Sequence, residues 1–301
     1  MTEPRHFLTL DSLTRNELDS IIARAAESKL NLKNGAIENT LSNRVLGMIF
    51  EKSSTRTRVS FEAGMAQLGG HAIYLAPSGS QIGRGEPLED TARVISKMVD
   101  CIMLRTFEHE RIETFAAHSD VPVINGLSDS YHPCQLLADI LTYKETRGTI
   151  SGKKVVWVGD GNNMCHSYMN AARLFEFNLI VTSPDGYEPE QTIYSRNESF
   201  VQLERDPKLA VTDADLIVTD VWASMGQEDE QKQRMETFHD YQVNNDLMSL
   251  AKNDALFMHC LPAHRGEEVS AEVLEGPQSV VWQEAGNRLH SQKALLEFLM
   301  Q

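Results

Sequence analysis

Residues 53–64 read SSTRTRVSFEAG and set two guanidinium groups, Arg56 and Arg58, among the hydroxyls of Ser53, Ser54, Thr55 and Thr57. The segment follows the apolar run VLGMIF (45–50) and leads into Phe61, Met65 and Leu68 at helical spacing. It therefore falls at a strand-to-helix junction. At a helix N-terminus the unpaired backbone N–H groups and the helix dipole attract anions. Hydroxyls add neutral donors, and a guanidinium adds a planar fork suited to phosphate. The stretch reads as a phosphate cradle; the competing reading is a solvated helix cap with surface arginines. It is not a Walker loop, because the G-x-x-x-x-G-K-[ST] pattern is missing.

Further polar groups recur where apolar runs end. LRTF (104–107) places Arg105 at the end of a buried strand, and NGLSDSYHPCQ (125–135) brings His132 and Gln135 to another strand-to-helix turn. Donors so placed beside a cationic cap can polarise a carbonyl oxygen; a lone His before Pro also caps helices. GDGNNM (159–164) follows KKVVWV but has Met164 where a dinucleotide fingerprint needs glycine, so Asn162 and Asn163 suit a polar small molecule better. TDVWASMG (219–226) puts Asp220 at a strand end, where a carboxylate binds a substrate ammonium or caps the loop. MHCLPAHRGEE (258–268) ends a strand near Cys260, which alone reads as a buried structural thiol. Zinc at His259, Cys260 and His264 is disfavoured, because neighbours on a strand point to opposite faces. Arg288, in NRLH before the last helix, alone reads as a surface cation.

Elements that position these groups follow from the apolar pattern. VLGMIF (45–50), HAIYLA (71–76), CIMLRT (101–106) and VPVIN (121–125) read as strands, with ARVISKMV (92–99) as a helix between two of them. Runs KKVVWVG (153–159), NLIVTS (178–183), DLIVTDVW (215–222), ALFMHCL (255–261) and SVVWQE (279–284) read as a second strand series. Continuous rather than alternating apolar strands imply parallel sheets covered on both faces, hence two doubly wound α/β domains. HPCQLLADILTYKETRG (132–148) is a helix opening on Pro133 and stopping at Gly148. The tail holds Leu295, Phe298 and Leu299 on one helical face. Ligand residues in such sheets gather where strands end.

Bulk composition narrows the partners. The 301 residues carry 43 acidic and 28 basic side chains, a net charge of −15, which disfavours nucleic-acid and anionic-membrane surfaces while allowing one locally basic pocket. Apolar runs stay well below a membrane span of about 18 residues. The start, MTEPRHFLTLDSL, lacks a signal-peptide pattern. Cys101, Cys134, Cys165 and Cys260 are far apart, so a reduced cytoplasmic protein is expected.

Taken in order, STRTR, LRTF, HPCQ, GDGNN, DVWASMG, HCLP and NR resemble the aspartate/ornithine carbamoyltransferase family over essentially the whole chain. HCLP and D-x-W-x-S-M-G resemble its ornithine branch. That resemblance implies a carbamoyl-phosphate domain at 1–131, a linking helix at 132–148 and an ornithine domain at 149–285, with helix 286–301 packing back on the first domain. It implies carbamoyl transfer from carbamoyl phosphate to ornithine, with N-acetylornithine or putrescine as alternative acceptors. It also implies a homotrimer with sites at subunit interfaces, and neither a metal nor an organic cofactor. By motif position, Ser54, Thr55, Arg56 and Thr57 would hold phosphate, joined by Gln81 of a neighbouring subunit. Thr57, Arg105 and His132 would face the carbamoyl oxygen, Gln135 and the Leu261 backbone the carbamoyl amide, and Arg288 would close over the ligand. Asn163, Asp220, Ser224 and Met225 would hold ornithine, with Cys260 near the reacting groups.

Overall fold

The computed structural model describes residues 3–76, 85–223 and 230–300. The chain divides into two compact units, residues 1–141 with 286–301, and residues 142–285.

In the first unit, α1 (Arg15–Lys33) precedes an alternation of β1 (Val45–Phe50), α2 (Thr55–Gln67), β2 (His71–Leu75), α3 (Leu88–Ile95), β3 (Cys101–Arg105), α4 (His109–Ala117) and β4 (Val123–Leu127), and α5 (Pro133–Arg147) begins there. All pairings are parallel, in the order β2-β1-β3-β4. Ile49, Ile102, Leu104 and Val123 pack with Ile112 and Phe115 of α4. The chain leaves β1 toward β2 on one side and later continues from β3 toward β4 on the other. The topological switch point thus lies between β1 and β3, where ligands of open α/β sheets gather.

The second unit contains β5 (Lys154–Val158), α6 (Asn163–Phe175), β6 (Asn178–Thr182), α7 (Gln191–Asn197), β7 (Val201–Leu203), α8 (Pro207–Val211) and β8 (Leu216–Thr219). After these come α9 (Gln231–Thr237), α10 (Asn245–Met248), β9 (Leu256–His259), α11 (Ala271–Leu274) and the start of α12 (Val281–Met300). The parallel order is β7-β6-β5-β8-β9, which sets the switch point between β5 and β8. Val156, Val158, Ile217 and Phe257 form its core with Val211, Val273 and Val281.

Several sequence expectations shift. SVVWQE is not a strand: only Ser279 bridges Phe257, and α12 begins at Val281. A short apolar run has no period of its own, so its buried helical turn imitated a strand. Arg288 consequently lies inside this helix rather than before it. The fourth strand starts two residues later than VPVIN suggests, and the helix read at 92–99 is α3, ending at Ile95. Gly148 (φ +80°) follows the last residue of α5 with its N–H on the Lys144 carbonyl, a left-handed helix stop.

Candidate functional site

In the first unit, Ser54 caps α2. Its Oγ accepts from the Thr57 N–H at 3.2 Å and donates to Thr57 Oγ1 at 3.0 Å. Thr55 is the exposed first residue of the helix, Arg56 is half-buried, and Thr57 is buried. Arg58 turns away, pairing with Glu62 at 2.9 Å and stacking over Tyr74, so its guanidinium is engaged elsewhere. Arg105 is the buried last residue of β3, across the switch point from the β1 end. The turn after β4 supplies buried His132 and, in the first turn of α5, buried Gln135.

Arg288 ties these pieces together. Only 3% exposed, it donates from Nη1 to Gln135 Oε1 at 2.7 Å and from Nη2 to Thr57 Oγ1 at 3.1 Å. Gln135 Nε2 in turn donates to the buried Asp139 carboxylate at 2.9 Å. The amide therefore bridges a cation and an anion, which fixes which of its ends points where.

Burial, reinforced by the positive charges of Arg288, Arg105 and Arg56, holds the His132 pKa well below the usual histidine value. The imidazole is neutral near pH 7 and presents one N–H donor. Lys52, just past β1 and seated over the Phe107 ring at 4.3 Å, has its pKa lowered by burial and then by Arg105. Like charges gathered this closely raise the local positive potential.

The second unit carries a different cluster, at the ends of β5, β8 and β9. Asn162 caps α6: its Oδ1 accepts from the Met164 and Cys165 N–H groups at 2.9 and 3.2 Å. Its Nδ2 donates to Asp220 Oδ2 at 3.2 Å, leaving Asn163 as the first helical residue. Asp220, 8% exposed, accepts on Oδ1 from the Val221 N–H at 2.8 Å and from the Cys260 thiol at 3.1 Å. Cys260 is half-buried, whereas Cys101 and Cys134 are buried thiols whose pKa values burial raises, that of Cys134 up to about 12 and that of Cys101 further still.

Gly161, an intact glycine of the incomplete dinucleotide fingerprint, has another use. A Cβ there would lie 2.2 Å from the Pro189 nitrogen and 2.4 Å from the Glu188 carbonyl carbon, so the glycine makes room for the protein's own backbone.

The strand-face reasoning against zinc needs amending. Cys260 lies beyond β9, where alternation no longer applies, and Asp220, His259 and Cys260 each bring one potential ligand atom within 4.8 Å of the others. Imidazole chemistry still disfavours a cation. His259 Nδ1 accepts from the Leu261 N–H at 2.9 Å and Nε2 meets Glu268 Oε1 at 3.0 Å, so neither ring lone pair is available.

Of the residues singled out from sequence, Ser54, Thr57, Arg105, His132, Gln135 and Arg288 cluster in the first unit, with Arg56 close enough to bias His132. Asp220 and Cys260 touch in the second, and Leu261 sits in the turn after Cys260. Gln81, Ser224 and Met225 lie outside the described residues. Sequence reasoning missed Lys52, Asp139, Glu268 and Glu284. Lys52, adjoining SSTRTR, carried a readable signal; the buried acids carried none.

Known proteins match the chain along its whole length. The family model for the carbamoyl-P binding domain of aspartate/ornithine carbamoyltransferase matches residues 5–145, and that for the Asp/Orn binding domain matches residues 151–299. The chain is 63% identical over 300 residues to an ornithine carbamoyltransferase of Nitrosococcus oceani, covering 100% of this chain and 98% of the relative. It is 62% identical to one of Methylococcus capsulatus, covering 99% of each. A solved ornithine carbamoyltransferase of Pyrococcus furiosus superposes with TM-score 0.95 at 50% identity, covering 99% of this chain and 97% of that one. One from Burkholderia thailandensis does so with TM-score 0.92 at 52% identity, covering 98% of each. With family models matching residues 5–145 and 151–299 and relatives matching end to end, the chain belongs to the aspartate/ornithine carbamoyltransferase family.

Proposed function

We infer that the chain transfers the carbamoyl group of carbamoyl phosphate to the side-chain amine of L-ornithine, giving L-citrulline and phosphate. The observation that carries this reading is the cation cluster around neutral His132, joined to full-length identity above 60% with relatives named for this reaction.

The amine nitrogen attacks the carbamoyl carbon, the bond from that carbon to the phosphate oxygen breaks, and phosphate leaves with the electron pair and takes up the proton that the nitrogen gives up. Ser54, Thr55, Arg56 and Thr57, with the N-terminus of α2, hold the phosphate and neutralise the leaving group. Arg105 and His132 polarise the carbamoyl oxygen, and a neutral imidazole serves this as a hydrogen-bond donor. Gln135, its amide set between Arg288 and Asp139, orients the carbamoyl amide with help from the Leu261 backbone; Arg288 closes over the ligand. Gln81 from a neighbouring subunit completes the phosphate site.

Asn163, Asp220, Ser224 and Met225 hold ornithine. An alkylammonium has a pKa near 10.4, so about one part in a thousand is nucleophilic near pH 7.4, at a cost of about 4 kcal/mol. Neighbouring guanidinium groups and desolvation disfavour the ammonium and offset part of that cost. Asp220 would oppose this beside the reacting nitrogen; we assign it to the α-ammonium. Its contact with the thiol directs the Cys260 proton to the carboxylate, and the thiol orients the amine.

The same reading makes the protein a cytoplasmic homotrimer of arginine biosynthesis, which light scattering checks through a solution mass three times that of the chain. The deciding experiment supplies carbamoyl phosphate with L-ornithine, N-acetylornithine, putrescine or L-aspartate in turn. Citrulline from ornithine alone is expected. Product from another acceptor alone would overturn the acceptor, and none from any of them would overturn the chemistry.

A further inference from the structure

The turn that carries Cys260 and Leu261 is held by side chains to which the reading above gives no part. Leu261 has φ +58°, a left-handed backbone that a residue with a Cβ adopts only when its surroundings impose it. Four hydrogen bonds impose it here. The Leu261 N–H donates to His259 Nδ1 at 2.9 Å. His259 Nε2 lies 3.0 Å from Glu268 Oε1, with both side chains fully buried. The same Glu268 oxygen accepts from the His264 N–H at 2.7 Å, and Glu284 Oε2 accepts from the His259 N–H at 3.0 Å.

Donor roles fix the tautomer. A backbone N–H can only donate, so Nδ1 is unprotonated and the ring proton sits on Nε2, pointing at the Glu268 carboxylate. One carboxylate oxygen therefore grips the turn at both ends: through the imidazole at residues 259 and 261, and directly at 264. Glu268 is itself anchored, because its carbonyl accepts from the Val243 N–H at 2.9 Å.

We propose that Glu268, acting through His259, is a positioning residue for the transfer reaction: the pair fixes the backbone that aims the Cys260 thiol and the Leu261 carbonyl. This rests on the reading that Cys260 and Leu261 face the reactants. A carboxylate hydrogen-bonded to an imidazole sets both the ring's tautomer and its orientation, and this ring holds a backbone amide.

The test combines kinetics with ¹⁵N NMR of the imidazole at the assay pH. The expected wild-type spectrum shows His259 protonated at Nε2 and bare at Nδ1. His259→Leu, which has no acceptor for the Leu261 N–H, is expected to lose about 10²-fold in kcat, the scale of a displacement of about 1 Å at a reacting group. His259→Asn, whose amide oxygen can take the place of Nδ1, recovers most of that loss. Inorganic phosphate should bind both variants as it binds wild type, since its cluster lies in the other unit. Should His259→Leu fail to fold, Glu268→Gln keeps the shape and an acceptor oxygen and is expected to lower kcat with phosphate affinity unchanged. A proton on Nδ1, a folded His259→Leu at wild-type turnover, an Asn variant no better than Leu, or an unimpaired Glu268→Gln would each overturn the proposal. Cys260→Ala run alongside keeps the two failures apart: full turnover there would refute the part the proposed function gives the thiol, whatever the His259 spectrum shows.

Discussion

Asp220→Asn is nearly isosteric, yet the hydrogen bonds of Asp220 make it a severe change. Both carboxylate oxygens act as acceptors, Oδ1 from Val221 N–H and the Cys260 thiol, Oδ2 from Asn162 Nδ2. An asparagine has one oxygen and one NH2, so either orientation sets donor against donor, at Val221 or at Asn162. Leaving such a group unsatisfied in a site only 8% exposed costs about 1–3 kcal/mol of folding stability. In the role proposed for Asp220, the lost charge would also weaken its hold on the ornithine ammonium by about 1.5–3 kcal/mol, the worth of a charge-assisted hydrogen bond. At 1.36 kcal/mol per tenfold, kcat/KM for ornithine should fall about 10- to 100-fold. The assay is citrulline formation with ornithine varied at saturating carbamoyl phosphate, followed by the reverse titration. A folded variant with unchanged kcat/KM for ornithine, or one whose defect lies in KM for carbamoyl phosphate, would refute the assignment.

Arg105→Ala should reduce turnover by about 10²–10³-fold, as for loss of an oxyanion donor, and by more than Cys260→Ala; steady-state kinetics giving the reverse order would make the thiol the larger contributor. Burial lowers the pKa values of His6, His109 and His132, with nearby arginines adding to the effect at His132. The unfolded chain then binds more protons just below pH 6.5, so each histidine should remove up to about 1.36 kcal/mol of stability per pH unit as pH falls from 6.5 toward its folded value, and urea unfolding between pH 7 and 5 measures the slope. Glu38 keeps its pKa near 2 because hydrogen bonds from Ser28, Asn31, Lys293 and Arg24 overcome the opposing effect of burial. Lowered from 4.5, that carboxylate contributes about 3 kcal/mol above pH 4.5, lost as pH falls toward 2, and Glu38→Gln should flatten the acid limb of the unfolding curve.

The sheets were legible because their strands are continuous apolar runs bounded by polar turns, and the capped start of α2 because hydroxyls follow one such run. Other features left weaker marks. TRNE at 14–17 is a capping box, its Glu17 Oε2 accepting the Thr14 N–H at 2.8 Å, and it announces α1 without any apolar run. Arg288 looked like a surface cation because local sequence cannot show that Thr57 and Gln135, remote along the chain, surround it. Glu268 and Glu284 belong to ordinary acidic stretches, and only tertiary structure reveals that both end on His259.

The close approach of Gly161 to the 188–189 backbone bears on how this scaffold could be repurposed. Its second sheet has the strand, the turn and the capped helix that hold a pyrophosphate in other proteins, and Met164→Gly would restore the missing letter of that pattern. It would not restore the function. The volume that a dinucleotide's phosphates would occupy beside this turn is already filled by Glu188 and Pro189. A conversion toward nucleotide binding would have to begin by rerouting the chain after β6, so that route is closed at the backbone, before any side chain is chosen.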